Sequence, residues 1–233
     1  MKTKLGYIHS RWEPIRRFLR FLMDKIGFRF LARIDSVEGV ENVPAKGAGI
    51  LIYNHIAFID PVAVMSAVRR NVVPMAKAEA VNIPFFGIFT RMWGTIFVSR
   101  GEADREALEK AIAVLKSGEL LLVAPEGTRS PALIEARDGV AYLAARTGAP
   151  IIPVAVDGTE GFPSLSPKRW SKPGALIRFG KPFRFRVPHG RIPREWLHRM
   201  TQEAMYRLAE LLPPARRGFY SDLSAATAET IEP

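Results

Sequence analysis

Cysteine is absent from this chain of 233 residues. Disulfide bonds, thiolate nucleophiles and cysteine-based metal sites are therefore excluded. The four histidines stand at positions 9, 55, 189 and 198, without the close spacing of a metal-binding motif. The chain also lacks a Gly-x-Ser-x-Gly turn, which presents the nucleophilic serine in many hydrolases. A covalent mechanism through either nucleophile is not expected.

Long apolar runs are missing from the N-terminal part of the chain. Between Tyr7 and Ile34, bulky apolar residues are interleaved with Lys and Arg, so no stretch of about 18 uncharged residues is available to span a membrane. The apolar core between Arg20 and Asp24 is too short for a signal peptide. The pattern predicts one or two amphipathic helices, broken near Gly27, that can lie in a bilayer interface. The alternative is a helix packed on the domain with its basic side in water.

Acidic residues are few at both ends of the charge profile. Residues 1–35 hold nine Lys/Arg against three acids, and residues 163–217 hold thirteen against three. Residues 36–162 are nearly neutral, with twelve bases and fourteen acids. Residues 218–233 hold three acids and no base, which brings the net charge of the whole chain to +11. Basic flanks suit an anionic membrane surface, nucleic acid or an anionic ligand, and charge alone does not choose among them.

The stretch from Gly49 to Pro61 carries a histidine and a carboxylate at short spacing. The apolar run from Ile50 to Tyr53, at the start of this stretch, predicts a buried strand. Asp60 stands directly before Pro61, a pair typical of a helix N-terminus, so a helix is predicted from Pro61 to Arg70 with Asp60 as its cap. On one continuous helix the side chains of His55 and Asp60 would point about 140° apart.

If residues 55–59 form a loop between strand and helix, His55 and Asp60 can meet. The carboxylate would then accept from one imidazole nitrogen and leave the other for a substrate hydroxyl. An imidazole with its ordinary pKa near roughly 6.5 is largely neutral at cellular pH and can act as a base. The alternative is that Asp60 only caps the helix and His55 is a polar loop residue.

Apolar strand-like runs alternate with helical stretches of 10 to 16 residues along the middle of the chain. This alternation predicts an α/β domain with a largely parallel central sheet flanked by helices. One of the predicted helices covers Ala132 to Thr147. We assign residues 1–35 to an amphipathic helical membrane-docking segment, residues 36–212 to the α/β domain, which opens with a turn-rich link over Ser36 to Lys46, and residues 213–233 to a flexible tail.

Ligands of parallel sheets bind beyond the carboxyl ends of the strands. His55, Arg100 and the loop 125–130 each follow a predicted strand, so we expect them at one edge of the sheet. Arg100 and Arg129 carry planar, permanently charged groups suited to phosphate.

Three further residues of the loop 125–130 support an anion site. Gly127 lets the backbone approach a ligand, and Thr128 adds a hydroxyl donor. Glu126 would orient an arginine or a substrate hydroxyl, because a carboxylate does not bind phosphate. The alternative is an internal ion pair between Glu126 and Arg129.

Four short blocks resemble the PlsC-type glycerolipid acyltransferases, the family of 1-acylglycerol-3-phosphate O-acyltransferases. The blocks are Asn-His-Ile-Ala-Phe-Ile-Asp at 54–60, Gly-Thr-Ile-Phe-Val-Ser-Arg at 94–100, Pro-Glu-Gly-Thr-Arg at 125–129 and Ile-Ile-Pro-Val-Ala-Val at 151–156. They occur in the order that the family shows. One departure is Ala124, which stands where the third block usually opens with phenylalanine.

The resemblance implies roles for individual residues. His55 would be the general base and Asp60 its orienting partner, and the acceptor-phosphate site would be formed by Arg100, Glu126, Gly127, Thr128 and Arg129. It also implies an acyl-CoA or acyl-carrier-protein thioester as co-substrate, no cofactor, and docking of the N-terminal segment on the membrane.

These implications lead to one functional expectation. The chain is expected to be a peripheral membrane enzyme on the cytoplasmic face of the cell membrane that acylates lysophosphatidic acid to phosphatidic acid. Its expected partners are an anionic membrane surface, the lysophospholipid acceptor and the thioester donor, with no nucleic acid. Alternatives are the same chemistry on glycerol 3-phosphate or another lysolipid, and a non-catalytic basic module that binds nucleic acid or membrane. Against nucleic acid, the N-terminal aromatic residues share an apolar face and do not form a stacking platform.

Overall fold

The computed structural model describes residues 8–84, 86–99, 104–188 and 190–232. Within these ranges the strands are β1 (Ile34–Glu38), β2 (Gly49–Tyr53), β3 (Val72–Lys77), β4 (Ile96–Val98), β5 (Leu120–Val123), β6 (Ile151–Asp157) and β7 (Ala175–Phe179). They form one sheet in the order β1-β7-β6-β2-β5-β3-β4. Every neighbouring pair is parallel except β6 and β7. The prediction of a largely parallel α/β sheet is confirmed.

Helices cover both faces of this sheet. Their bounds are α1 (His9–Leu22), α2 (Asp60–Ala67), α3 (Phe86–Trp93), α4 (Arg105–Lys116), α5 (Gly139–Thr147), α6 (Pro167–Trp170) and α7 (Arg194–Ala209), and a π-helical segment (Met23–Leu31) follows α1. Along β2, Ile50 and Ile52 pack with residues of α4, α5 and α7. Leu51 and Tyr53 pack with residues of α1, α2 and α3. Because both faces are covered, β2 is apolar and buried at every position.

Two local predictions are wrong. Residues 132–138 are not helical, and α5 begins only at Gly139. Backbone amides in this segment donate to distant partners instead, as Leu133 does to the carbonyl of Arg216. The predicted link after Ser36 overlaps the end of β1, which pairs with β7. That pairing joins residues about 140 positions apart in the chain, so local sequence carries no sign of it.

The N-terminal helix does not break at Gly27. It passes into the π-helical segment, in which the carbonyl of Gly27 accepts from the amide of Ala32 at 3.0 Å. Arg16 of α1 is fully buried, and its Nε donates to the carbonyl of Trp93 at 2.7 Å. The guanidinium of Arg20 donates to three carbonyls around the end of α2, those of Met65, Val68 and Arg70.

Helix α2 ends at Ala67 and not at Arg70 as predicted. The guanidinium of Arg20 binds the carbonyls around this end, which have no partner within a helix that stops there. Among the described residues, no helix has both the length and the apolar character needed to cross a bilayer.

The segment after residue 212 is packed on the domain, so the expectation of a flexible tail is wrong for residues 213–232. Tyr220 and Thr230 are fully buried. The carboxylate of Glu203, buried on α7, accepts from the backbone amides of Glu229 and Thr230. Ile231 forms a β-bridge with Phe185. Buried polar groups that are satisfied in this way hold the segment in place.

Candidate active site

Three loops meet at one edge of the sheet. They follow β6, β2 and β5, which are adjacent and parallel, so their carboxyl ends lie side by side. The loop after β2 contains His55, the loop after β5 contains Glu126 to Arg129, and the loop after β6 contains Thr159. The backbone amide of Ser130 donates to the carbonyl of His55 at 2.8 Å, which ties the first two loops together.

The side chains of His55 and Asp60 are hydrogen-bonded. Nδ1 of His55 lies 2.8 Å from Oδ2 of Asp60. Residues 54–59 form a non-helical turn, and α2 begins at Asp60, which is what allows two residues five apart to meet. The Asp60 side chain is fully buried, whereas that of His55 is 19% exposed. In the part of the chain that the structure describes, Nε2 of His55 has no hydrogen-bond partner, so that nitrogen is open to a ligand.

Asp60 does not cap the helix that it begins. Its carboxylate accepts from residues that come before the helix, the backbone amides of Ile56 and Ala57, each at 2.7 Å. Oδ1 accepts from the hydroxyl of Thr159. A buried carboxylate is costly unless it is hydrogen-bonded, and bonds to a charged acceptor are strong. The carboxylate is therefore held at both oxygens, in the orientation that meets the imidazole.

Two residues of this arrangement were missed by sequence reasoning. Thr159 is fully buried. The one feature of the sequence that could have indicated it is its position, because a residue with a hydroxyl group stands just beyond the carboxyl end of a predicted strand. Asn54 is buried and exchanges two hydrogen bonds of 2.8 Å with the backbone of Val156, as donor to its carbonyl and as acceptor from its amide. The Asn54 amide thus extends the pairing of β2 with β6 by one step and fixes where His55 leaves the sheet.

Glu126 contacts backbone amides on both sides of the site. Oε1 accepts from Ile134 at 2.8 Å, and Oε2 accepts more weakly from His55 at 3.4 Å. Burial raises the pKa of Glu126 to about 7, against the lowering effect of these two hydrogen bonds. Among the described residues, no ion pair joins Glu126 to Arg129. Glu126 thereby links the loop after β2 to the extended segment 131–138.

Gly127, Thr128 and Arg129 form the outer part of the site. Gly127 has a left-handed backbone conformation at φ +64°, and no atom lies within 4 Å of the position that a Cβ would occupy. Glycine is therefore favoured here by the backbone conformation and not by a lack of space. Thr128 is half-buried and Arg129 is exposed. The guanidinium of Arg129 has no hydrogen-bond acceptor or acidic partner in the described ranges. Arg100 lies outside the described residues.

A tyrosine ring lies next to the imidazole. Tyr53 is buried with its ring centroid 5.4 Å from that of His55. Burial, followed by the charges of Asp60 and Glu126, raises the pKa of the Tyr53 phenol well above its usual range, so the phenol is neutral. Within the described parts of the chain, no group of three or more His, Asp or Glu side chains could hold a metal ion. The arrangement offers the Nε2 atom of an imidazole that a buried carboxylate holds through Nδ1. A neighbouring loop, tied to that of His55 through the Ser130 amide, carries the exposed Arg129.

The raised pKa of Glu126 predicts a pH-dependent stability. The folded protein keeps this proton up to about pH 7, whereas the unfolded chain loses it near 4.5. The folded state binds more protons in that window, so the free energy of unfolding should fall as the pH rises through it. In Glu126→Gln this contribution is absent. Its free energy of unfolding relative to the unmodified protein should therefore increase between pH 4.5 and 7, by up to about 3 kcal/mol.

Urea unfolding at a series of pH values measures this difference. Glu135→Gln, which removes an exposed carboxylate from the same segment, is the control and should follow the unmodified protein. A difference between Glu126→Gln and the unmodified protein that stays constant with pH would contradict the prediction.

Comparison with known proteins identifies the family of the chain. The family model described as Acyltransferase matches residues 35–157, which is more than half of the chain and includes the loops after β2 and β5 but not Thr159. A protein named 1-acyl-sn-glycerol-3-phosphate acyltransferase from Borreliella burgdorferi is 35% identical over 130 residues, which cover 54% of this chain and 52% of that protein. One of the same name from Bacillus subtilis is 25% identical over 177 residues, covering 75% of this chain and 86% of that protein.

A solved structure shares the fold. The crystal structure of the 1-acyl-sn-glycerophosphate (LPA) acyltransferase PlsC from Thermotoga maritima matches with a TM-score of 0.59 at 24% identity, covering 95% of this chain and 86% of that one. The chain spans about half the length of several of its curated relatives, as with the Borreliella burgdorferi protein and the 57% covered of a mouse relative. The resemblance seen in the four sequence blocks is confirmed, and the chain belongs to the acyltransferase family.

Proposed function

We propose that this chain is a peripheral membrane O-acyltransferase that moves a fatty acyl group from a thioester donor to the free hydroxyl of lysophosphatidic acid, giving phosphatidic acid. The observation that carries the proposal is the hydrogen-bonded pair of His55 and Asp60, with one imidazole nitrogen open to a ligand. The loop that contains Arg129 is tied to the His55 loop by the hydrogen bond from the Ser130 amide to the His55 carbonyl. The names of the relatives in Borreliella burgdorferi, Bacillus subtilis and Thermotoga maritima support the same reaction.

In this mechanism His55 is the general base. Nε2 takes the proton of the acceptor hydroxyl as the hydroxyl oxygen attacks the thioester carbonyl. A carbon–oxygen bond forms, the carbon–sulfur bond breaks, and the departing thiolate receives the proton from the imidazolium. No covalent intermediate with the protein is needed. A positioned base of this kind contributes roughly 10²- to 10⁴-fold in rate.

Asp60 and Thr159 orient that base. The Asp60 carboxylate accepts from Nδ1 of His55 and so keeps the proton on Nδ1 and the lone pair on Nε2. When His55 becomes charged during the reaction, the buried carboxylate stabilises the imidazolium. The Thr159 hydroxyl and the two backbone amides prevent the carboxylate from turning away.

The loop after β5 is the proposed site for the acceptor phosphate. Arg129 supplies a planar fork of donors for phosphate oxygens. The left-handed backbone at Gly127 and the hydroxyl of Thr128 lie at the exposed side of the loop. Arg100 is assigned to the same site by the sequence block that it ends. Both carboxylate oxygens of Glu126 accept hydrogen bonds from backbone amides. We therefore propose that Glu126 holds the loops of the site in position and does not contact the phosphate.

The donor is an acyl thioester of coenzyme A or of acyl carrier protein, and no cofactor takes part. Both donors are anionic, which agrees with the net charge of +11.

We place the enzyme on the cytoplasmic face of the cell membrane, docked through its N-terminal segment. Apolar side chains of α1 and the π-helical segment face solvent, with Phe18 54%, Phe21 57%, Ile26 51% and Phe30 56% exposed. Exposed apolar rings beside basic residues suit the interface of an anionic bilayer.

A panel of acceptors tests the function. The purified protein is given one fixed acyl-CoA and, in separate reactions, lysophosphatidic acid, glycerol 3-phosphate or lysophosphatidylcholine. The proposal expects the highest kcat/KM with lysophosphatidic acid. A preference for either of the other acceptors would keep the chemistry and change the substrate. Absence of transfer to all three, together with salt-sensitive binding to oligonucleotides, would favour a non-catalytic basic module.

His55→Ala is expected to lower kcat by roughly 10²- to 10⁴-fold, because it removes the base. The fold should persist, since the His55 side chain is partly exposed and outside the core, and a thermal unfolding scan checks this. His198→Ala is the matched control, because His198 lies on α7 and also stands near a carboxylate, that of Asp138 at 3.5 Å. Full transfer by folded His55→Ala would refute the mechanism.

Thr159→Val keeps the shape of the side chain and removes the donor to Asp60. A hydrogen bond to a charged group contributes roughly 1.5 to 3 kcal/mol, so kcat should fall about tenfold or more while the acceptor KM changes little. Thr159→Ser should restore kcat. Thr201→Val, which removes another buried hydroxyl on α7, should have no effect on kcat. If the Ser and Val variants were equally slow, the hydroxyl would not be the reason.

Arg129→Ala should raise the KM for lysophosphatidic acid roughly tenfold or more, because one charge-assisted contact with phosphate is lost. The KM for acyl-CoA should stay unchanged. Steady-state kinetics with each substrate varied in turn measures both constants. Arg146→Ala removes an exposed arginine near the end of α5 and should alter neither. An unchanged acceptor KM in Arg129→Ala would exclude Arg129 from the phosphate site.

A further inference from the structure

We propose that the connection between β6 and β7, over residues 163–172, is a second contact with an anionic lipid bilayer, separate from the N-terminal segment. We call residues 163–172 the lipid-contact connection. The inference rests on the proposed membrane association and adds a part of the chain to it that the four sequence blocks do not include.

The lipid-contact connection carries an apolar side chain with no cover. Leu165 is 76% exposed, more than Ile88 at 63% or any of the exposed aromatic side chains of α1. A single exposed leucine is common on protein surfaces. Leu165, however, lies close in sequence to unpaired basic residues and next to the N-terminal segment, and both features indicate a binding surface.

Basic residues follow this leucine closely in the sequence. Lys168 and Lys172 are exposed, and their ammonium groups have no acidic partner in the described part of the chain. The stretch Pro-Ser-Leu-Ser-Pro-Lys-Arg-Trp-Ser-Lys contains no Asp or Glu. An apolar side chain flanked by unpaired cations is the combination that binds an anionic bilayer, the first by entering the interface and the second by attraction to lipid phosphates.

The lipid-contact connection is joined to the N-terminal segment. The amide of Ser164 donates to the carbonyl of Leu31 at 2.7 Å. The guanidinium of Arg33 donates to the carbonyls of Trp170 at 3.1 Å and Lys172 at 2.9 Å. Leu165 therefore lies next to the end of the π-helical segment, where Phe30 is also exposed. The two surfaces can reach one bilayer together.

This surface lies at the same edge of the sheet as the candidate active site. β1 and β7 both start at the edge where β6 ends, since Asp157 pairs with Leu176 and Ile34 pairs with Ala175. The connection begins a few residues after Thr159, whose hydroxyl binds Asp60. A bilayer contact here would hold the open side of His55 at the lipid surface, where a lysophospholipid acceptor resides.

The connection is held in shape from within. The guanidinium of Arg169 donates to the carbonyls of Gly158, Glu160 and Pro173 and lies over the ring of Phe162 at 3.6 Å. None of these bonds involves the side chains of Leu165, Lys168 or Lys172. Substitutions at those three positions therefore change the outer surface and leave the internal contacts intact.

Sedimentation with lipid vesicles tests the proposal. One set of vesicles is phosphatidylcholine alone, and the other contains phosphatidylglycerol and phosphatidylcholine in equal amounts. Lys168→Ala/Lys172→Ala should weaken binding to the anionic vesicles only, by about fivefold for each charge removed. Leu165→Ser should weaken binding to both sets, roughly tenfold on the anionic vesicles.

Matched controls come from the opposite edge of the sheet. Val40→Ser removes an exposed apolar side chain, and Lys46→Ala/Lys181→Ala removes two exposed charges. These variants should bind as the unmodified protein does. All variants should keep their thermal unfolding temperature and their transfer to a short-chain, water-soluble lysophosphatidic acid.

The outcomes separate the claims. If the unmodified protein binds and the three substitutions change nothing, the lipid-contact connection is refuted while N-terminal docking stands. Loss of affinity for an acidic acyl carrier protein, with vesicle binding unchanged, would also refute it and make the surface a protein contact. If the unmodified protein binds neither set of vesicles, membrane association as a whole fails, and transfer to the soluble acceptor still reports on the catalytic proposal separately.

Discussion

The buried carboxylate of Asp60 is the constraint on which the site depends. A charge removed from water must be surrounded by donors, or the fold loses stability. Here the donors are the amides of Ile56 and Ala57, the hydroxyl of Thr159 and the imidazole of His55. Because those donors come from the loops after two adjacent strands, satisfying one carboxylate also fixes the relative position of the two loops.

The N-terminal segment contacts the C-terminal end of α2, the helix that begins with Asp60. Helix α2 begins with Asp60, and the carbonyls around its end receive the guanidinium of Arg20 from α1. The arginine residues of α1 are therefore of two kinds, inward-facing and exposed. Arg16 and Arg20 point inward and hold the domain, whereas Arg17 is exposed and paired with Glu13. The segment proposed to touch the membrane is thus in direct contact with the helix that begins with Asp60, the carboxylate proposed to orient His55.

Much of the fold could be predicted from periodicity. The buried strands β2, β5 and β6 are short apolar runs, and α4 has a regular amphipathic pattern that begins after the capping side chain of Asp104. Two of the wrong predictions have a common cause. Distant partners hold both the segment from Ala132, through the carbonyl of Arg216, and the C-terminal segment, through the Glu203 carboxylate.

The order of residues predicted that His55 and Asp60 can pair if residues 55–59 form a loop, because Asp60 stands before Pro61 and a helix begins there. It left open the alternative that Asp60 only caps the helix, and the tertiary structure decided between the two. The order of residues was sufficient to predict that the loops after β2 and β5 lie at one edge, since parallel strands end on the same side. The hydrogen bonds from Thr159 to Asp60, from the His55 amide to Glu126 and from Arg16 to the Trp93 carbonyl depended on tertiary structure. Each joins residues about 70 or more positions apart, and neither spacing nor composition records which distant groups a folded chain brings within hydrogen-bonding distance.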